Sequence, residues 1–200
     1  MKGTVAILCS AALSIAILSG CSTTKVSYGD ASEVETVTAD FGSTDLQQIA
    51  TSMVESLLSF PPMVEITSQR RPVIFVDRIR NKTTEHIDTE SITDTITTRL
   101  LRSGKFRFVD MSKVEAVRKQ LEFQHGSGMV NPETAVRTGR QIGAEYMLYG
   151  NLSSIVKKKG GTKDVYYKFT LKLMNLENGL IEWSDEKEIR KTRKRSLFGL

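Results

Sequence analysis

The sequence predicts an α/β protein with one sandwich domain: a mixed sheet of about five strands, about four helices packed over it, and a C-terminal antiparallel meander. Two observations predict this fold. Apolar residues recur at helical spacing over the first two thirds of the chain, between short apolar runs, and the last third alternates with a period of two. Helices that alternate with strands favour a helix-covered sheet, and consecutive alternating strands favour a meander.

Four segments have the pattern of helices. Thr44, with Gln47 three residues later, forms a capping box at the start of the first, and Asp88 can cap the second. Ser112 begins the third, and Pro132 occupies the first turn of the fourth. The predicted helices span residues 44–58, 88–104, 112–121 and 131–142. The predicted buried face of the third helix consists of Val114, Val117 and Leu121.

Short apolar or alternating runs predict the strands. The predicted strands span residues 73–76, 106–109, 146–156, 165–176 and 180–190. Residues 81–84 are expected to form a polar turn, residues 157–161 (KKKGG) a hairpin turn, and Asn178-Gly179 a tight turn. In the fourth strand Tyr167 and Phe169 alternate with Lys168, which predicts one buried and one solvated face.

The N-terminal residues predict a lipoprotein signal. Lys2 precedes a short apolar run at 5–18, which is followed by the lipobox LSGC that ends at Gly20 and Cys21. We expect cleavage between Gly20 and Cys21, and a Cys21 that carries an N-acyl chain and an S-linked diacylglycerol. An uncleaved anchor, or a plain signal peptide with a coincidental cysteine, is the alternative. Ser22 favours sorting to the outer membrane, with the protein facing the periplasm.

Composition divides the chain further. Residues 22–43 are rich in Ser, Thr, Asp and Glu, which is typical of a tether that cannot bury enough surface to fold. The alternative is that part of the tether packs as an N-terminal strand through Val34, Val37 and Phe41. The predicted organisation is a signal peptide at 1–20, a lipidated N-terminus and flexible tether at 21–43, a globular domain at 44–190 and a basic tail at 191–200.

Charge and cysteine content exclude several classes of function. The formal charge is +5 and becomes +4 without Lys2, but an exported protein rarely meets nucleic acid, so anionic lipid or an acidic protein surface is the expected partner. The two cysteines are Cys9, in the signal, and Cys21, so we expect neither a disulfide nor a thiolate metal site.

The chain offers little for catalysis. It has two histidines, His86 and His125, and no metalloprotease or serine-hydrolase motif. The loop at 126–128 (GSG) lacks the remainder of a phosphate-binding pattern, and Glu186 and Glu188 alone do not define a carboxylate pair. We therefore predict no catalytic residue, metal, cofactor or small-molecule substrate. A hydrolase that uses His125 as a general base is the alternative.

Exposed residues on predicted strands and loops are candidates for docking a partner. They are Arg107, Tyr149, Lys157, Lys158, Lys159 and Lys168, with the basic C-terminal run behind them. Lysines at a hairpin tip and basic runs at a terminus are also ordinary solvated surface. As a docking surface they would steer association with an acidic partner in a salt-dependent manner.

Seven short segments occur in order over most of the mature chain: 28–30 (YGD), 40–47 (DFGSTDLQ), 103–109 (SGKFRFV), 128–132 (GMVNP), 146–150 (YMLYG), 152–156 (LSSIV) and 179–183 (GLIEW). In these segments the chain resembles the LpoB family, outer-membrane lipoproteins that activate a class A penicillin-binding protein.

The resemblance implies an α/β domain similar to the N-terminal domain of TolB. It also implies a non-catalytic role, in which the domain binds a regulatory domain of a bifunctional peptidoglycan synthase and shifts its conformational equilibrium. Residues 22–43 contain no proline, whereas enteric members carry a long proline-rich tether. The alternative function is an envelope assembly or secretion accessory with another periplasmic partner, which would self-associate.

Overall fold

A six-stranded mixed sheet, with helices packed on it, forms the structure. The structure is a computed structural model and describes residues 27–31, 33–35, 38–110, 113–129 and 143–195. The helices are α1 (Ser43–Ser59), α2 (Pro61–Gln69), α3 (Thr89–Arg102) and α4 (Val114–Gly126). The strands are β1 (Val73–Val76), β2 (Arg80–Lys82), β3 (Arg107–Val109), β4 (Tyr146–Lys159), β5 (Thr162–Asn175) and β6 (Ile181–Lys194). The α/β class with a C-terminal meander is thus confirmed.

The sheet has the order β3-β1-β4-β5-β6, and β2 pairs with β4 beyond the end of β1. The pairs β1/β3, β1/β4 and β2/β4 are parallel, and β4/β5 and β5/β6 are antiparallel. Since β1 and β2 both lie along β4, they act as one interrupted strand. The backbone amide of Asp77, between them, donates to the Leu148 carbonyl at 2.9 Å and continues the pairing.

Helices α1 and α3 cover one face of the sheet. Ile49 of α1 and Ile92 and Leu100 of α3 recur at the predicted helical spacing and are fully enclosed. Asp88 caps α3 as predicted, because its carboxylate accepts hydrogen bonds from the amides of Glu90 and Ser91. These side chains pack with alternate residues of β4 and β5 into one hydrophobic core.

Several local predictions are wrong. Helix α1 begins at Ser43, because Gly42 is the N-cap and its amide donates to the Asp45 carboxylate at 2.9 Å, so Thr44 lies inside the first turn. Helix α2 was not predicted. The expected polar turn at 81–84 begins as strand β2, and Val117 of α4, predicted as buried, is 46% exposed. The predicted helix at 131–142 lies outside the described residues.

The predicted tether does not extend to residue 43. Ala39 is buried in the core, and the Phe41 ring packs edge-on against Tyr167 at 5.6 Å between centroids. The Phe41 amide donates to Glu85, which also accepts the Tyr167 hydroxyl at 2.7 Å. The larger of the two compact units of the chain accordingly begins at Val34. We call residues 38–41 the strap.

The basic tail also begins later than predicted. Strand β6 extends to Lys194, because its backbone pairs with β5 from Ile181 onward. Lys191, assigned to the tail from its charge, donates through Nζ to the Asp45 carboxylate at 2.9 Å and to the Asp40 carbonyl at 2.7 Å. The C-terminal basic run is therefore part of the sheet as far as Lys194. Within it, Lys191 holds the strap and α1 together.

Candidate docking surface

Strands β4, β5 and β6 have two chemically different faces, as their alternation predicts. Leu152 and Phe169, opposite one another, lie on the core face and are fully buried. The next pair, Ser153 and Lys168, lies on the other face. The side chains on this second face, which we call the polar face, include Tyr149, Asn151, Ser153, Lys168, Thr170, Lys172, Glu186 and Glu188.

A small basic pocket lies on the polar face where β2 meets β4. Its volume is about 180 Å³. It is lined by Asp77, Arg78, Arg80, Lys82, Tyr149, Gly150, Asn151, Thr170 and Lys172. Four of these side chains are cationic and one is anionic. We call this site the basic pocket.

The strand pairing explains why the cations converge. In register with β4, Arg80 lies beside Asn151 and Lys82 beside Ser153, so both side chains share the polar face. Arg78, two residues before Arg80, also lines the pocket. Ile79, between Arg78 and Arg80, is 2% exposed and anchors this segment in the core. In the sequence, the signal for this site is that basic residues occupy every second position, at Arg78, Arg80 and Lys82.

The backbone at Gly150 forms part of the pocket wall. A Cβ atom at this position would lie 2.2 Å from the Thr170 carbonyl oxygen. A contact this close requires the backbone to move, so glycine permits the close approach of β4 and β5 here.

The structure brings two of the predicted docking residues to this region. Tyr149 lies opposite Lys172 and lines the pocket. Lys168 is on the same face of β5, four residues before Lys172, and it forms an ion pair with Glu186. The hydrogen bond from Lys168 to Glu186 raises the pKa of the lysine. Lys168 is therefore already neutralised in part, and Tyr149 is the better-placed candidate.

The other predicted docking residues lie elsewhere. Arg107 is on β3, at the opposite edge of the sheet, and its Nε donates to the Arg71 carbonyl at 3.3 Å. Lys157, Lys158 and Lys159 end β4 next to the Gly160-Gly161 turn, about 26 to 33 Å along the strand from Tyr149. The six residues thus belong to three separate places.

The two histidines lie in separate elements of the chain. His86 is exposed in the loop between β2 and α3, and His125 is in the last turn of α4. Within the described ranges, no three His, Cys, Asp or Glu side chains are grouped as a metal site requires. Among these residues, likewise, no helix is both long and apolar enough to cross a bilayer.

The basic pocket is suited to binding an acidic group. Guanidinium and ammonium groups around one tyrosine hydroxyl can hold a carboxylate or phosphate through charge-assisted hydrogen bonds. A pocket of this size accepts a side chain rather than a cofactor. The residues of the site are therefore suited to recognition of an acidic group.

Comparison with known proteins gives consistent results. A family model described as peptidoglycan-synthase activator LpoB matches residues 45–189. The penicillin-binding protein activator LpoB of Salmonella typhimurium is 26% identical over 112 residues, which cover 56% of this chain and 49% of that protein. That of Erwinia amylovora is 27% identical over 112 residues, which cover 56% and 52%. The chain thus spans about half the length of these curated relatives.

Solved structures are also similar. The LpoB C-terminal domain from Salmonella enterica aligns with a TM-score of 0.43 and 21% identity, over 74% of this chain and 99% of that domain. A score of this size carries no argument about function. The family model, in contrast, matches most of the chain, from the first turn of α1 almost to the end of β6. The chain belongs to the LpoB family.

Proposed function

We propose that this protein is a non-catalytic lipoprotein that binds a class A penicillin-binding protein and activates its synthesis of peptidoglycan. The observation that carries the proposal is the family match over residues 45–189, which includes strands β1 to β5 and the first nine residues of β6. The family is named as a peptidoglycan-synthase activator, and activation by contact, the mode proposed here, fits the recognition chemistry to which the basic pocket is suited.

The docking surface in this proposal is the polar face around the basic pocket. Tyr149 supplies a rigid, half-buried side chain, and Arg80 and Lys82 supply exposed charges next to it. An aromatic residue with flanking arginine is typical of residues that dominate binding energy at interfaces. The partner segment is expected to carry an acidic side chain that enters the pocket, and activation follows if it binds the active conformation of the synthase more tightly.

The proposed attachment is through lipid on Cys21, after cleavage behind Gly20, in the outer membrane and facing the periplasm. The support is the lipobox and Ser22 at the following position. Residues 22–33, between the acylated cysteine and the larger compact unit, span at most about 40 Å when extended. The docking region of the synthase must therefore extend toward the outer membrane. Incorporation of radiolabelled palmitate into the wild type, and its loss in Cys21→Ser, tests the attachment.

Activation is tested with the purified synthase of the same bacterium. We use the mature chain, residues 21–200 with Cys21→Ser, and measure glycan polymerisation and peptide cross-linking. Both rates are expected to rise with added protein, and Lys82→Glu is expected to weaken the apparent affinity about tenfold or more. Arg102→Glu, an equal change in charge at an exposed position of α3, is the matched control and should act like the wild type.

Two results would contradict the proposal. Absence of both binding and stimulation at micromolar protein would exclude the activator role. If Lys82→Glu and Arg102→Glu weakened stimulation equally, only net charge would matter, and the basic pocket would not be the docking site.

A further inference from the structure

The end of the meander carries a dense group of cations. Strands β4 and β5 meet at the Gly160-Gly161 turn, and the Arg195 amide, at the end of β6, donates to the Gly161 carbonyl at 2.9 Å. All three strands therefore end together. We call the group at this end the basic tip; it consists of Lys157, Lys158, Lys159, Lys163, Arg193, Lys194 and Arg195.

The strand register places like charges directly opposite one another. Lys158 pairs with Lys163, and Lys163 pairs with Arg193, so three cations form one row across the sheet. Like charges directly opposite one another destabilise a sheet. Lys163 is partly compensated by Asp40 of the strap, whereas Lys158, at the exposed end of the row, has no such partner among the described ion pairs, and its cost to the sheet suits a role outside the fold.

Ion pairs neutralise little of this charge. Lys163 is paired with Asp40 of the strap, and Asp164, nearby, is paired with Arg190. The remaining members of the tip form no ion pair with another residue in the part of the chain that the structure describes. Six cations are thus available to an anionic surface.

The N-terminal segment joins the domain at this same end. The strap contacts the tip through the Asp40–Lys163 ion pair and contacts β6 through the hydrogen bond from Lys191 to the Asp40 carbonyl. The chain that precedes the strap leads back to Cys21. If Cys21 is acylated, the chain that comes from the lipid anchor enters the strap, whose Asp40 contacts the basic tip.

We propose that the basic tip binds the anionic phospholipid headgroups of the membrane leaflet that carries the lipid anchor. This inference rests on the lipid attachment proposed above. A lipid chain combined with a polybasic patch is a common two-part membrane anchor. Each cation close to an anionic surface strengthens binding about fivefold, and salt weakens the effect. Most side chains of the tip are exposed at the ends of the strands, which suits a flat surface.

Exposed apolar residues next to the tip fit the same surface. Ile155, two residues before Lys157, is 58% exposed on the polar face, and Val156, on the opposite face, is also exposed. Bound in this way, the domain would place its basic tip at the membrane. The basic pocket would remain available at a distance of about 26 Å along β4.

The test measures vesicle binding of the mature chain with Cys21→Ser, so that no acyl chain contributes. Vesicles contain phosphatidylethanolamine with phosphatidylglycerol, or phosphatidylethanolamine alone. We expect cosedimentation with the first kind only, and its loss at high salt. Replacing Lys157, Lys158 and Lys159 together with Gln is expected to weaken binding by at least tenfold.

A matched triple variant separates location from net charge. Replacing Arg80, Lys82 and Lys172 with Gln removes the same charge from the basic pocket and should leave vesicle binding within about twofold. Equal weakening by the two triple variants, equal binding to both kinds of vesicle, or no binding at low salt would each overturn the inference.

Two further measurements keep the results interpretable. Lys158→Gln alone is expected to raise the midpoint of thermal unfolding slightly, since it removes one of three opposed cations; a lower midpoint would contradict the repulsion on which the inference rests.

Stimulation of the synthase in solution should be unaffected by the tip variants and reduced by the pocket variants. A failure of the activator role and a failure of membrane binding are therefore observed in different assays.

Discussion

The core face and the polar face of β4, β5 and β6 arise from the same alternation but have different consequences. Leu152 and Phe169 are opposite one another and fully enclosed on the core face, whereas Ser153 and Lys168, the next pair, are on the polar face. Burial makes the first pair responsible for stability. The second pair contributes little to stability, so the polar face can vary its chemistry and serve recognition without cost to the fold.

The largest contrast is expected from neighbouring substitutions on the two faces of β5. Phe169→Ala removes a fully buried ring and should lower the free energy of unfolding by about 3 to 5 kcal/mol. Thr170→Ala, the adjacent residue on the polar face, should change it by less than about 0.5 kcal/mol. Urea denaturation of the mature chain measures both. Similar losses in the two variants would show that the faces do not differ in this way.

The next test concerns the charged contact between β6 and α1. Lys191→Met leaves Asp45, which is 3% exposed, without its cation, and should cost about 3 kcal/mol. Lys194→Met, on the same strand at an exposed position, is the control and should be close to neutral. The same denaturation experiment applies. If Lys191→Met were neutral as well, the basic run would be the solvated tail that composition alone predicts.

The sequence predicted those parts of the fold that depend on neighbours along the chain. Asp88 caps a helix two residues away, and Phe169 alternates with Lys168, so both signals are local. Lys191 was misassigned because its partners, Asp45 and Asp40, are distant in the sequence. No local pattern distinguishes a paired lysine from a solvated one.

The candidate site shows the same limit. Tyr149 was predicted, but the pocket around it needs the parallel pairing of β2 with β4, which brings Arg80 beside Asn151. The period of two in Arg78, Arg80 and Lys82 indicated a strand face, yet a segment so short and polar is equally typical of a turn. Only the pairing of this segment with β4 distinguishes a strand from a turn here.

A third test concerns the close contact of β4 and β5 at the pocket. Gly150→Ala places a Cβ atom against the Thr170 carbonyl oxygen and should destabilise the domain by about 1 to 3 kcal/mol. Gly126→Ala introduces the same methyl group into open space in α4 and should be neutral or stabilising by up to about 1 kcal/mol. Thermal unfolding of both variants measures the difference. Effects of the same sign and size would indicate that the sheet can separate here at no cost.

The smallest effect is expected on the polar face, from Asp164. Hydrogen bonds from Arg190 and then Thr192 lower the pKa of Asp164 to about 2, below its value near 3.9 in an unfolded chain. The folded state therefore binds fewer protons than the unfolded state between these values. Stability from this carboxylate is complete above about pH 4 and is lost as the pH falls toward 2.

Asp164→Asn removes this contribution, so the variant should lose less stability than the wild type as the pH falls through this window. Because the pKa of Asp40 is also lowered, chiefly by its hydrogen bond with Lys163, the variant should retain part of the pH dependence. Urea midpoints measured at several pH values test this. If the urea midpoints of the wild type and of Asp164→Asn changed with pH in parallel, the Asp164–Arg190 pair would contribute nothing to stability, as is common for exposed ion pairs. The polar face would then be free of stabilising contacts at this position.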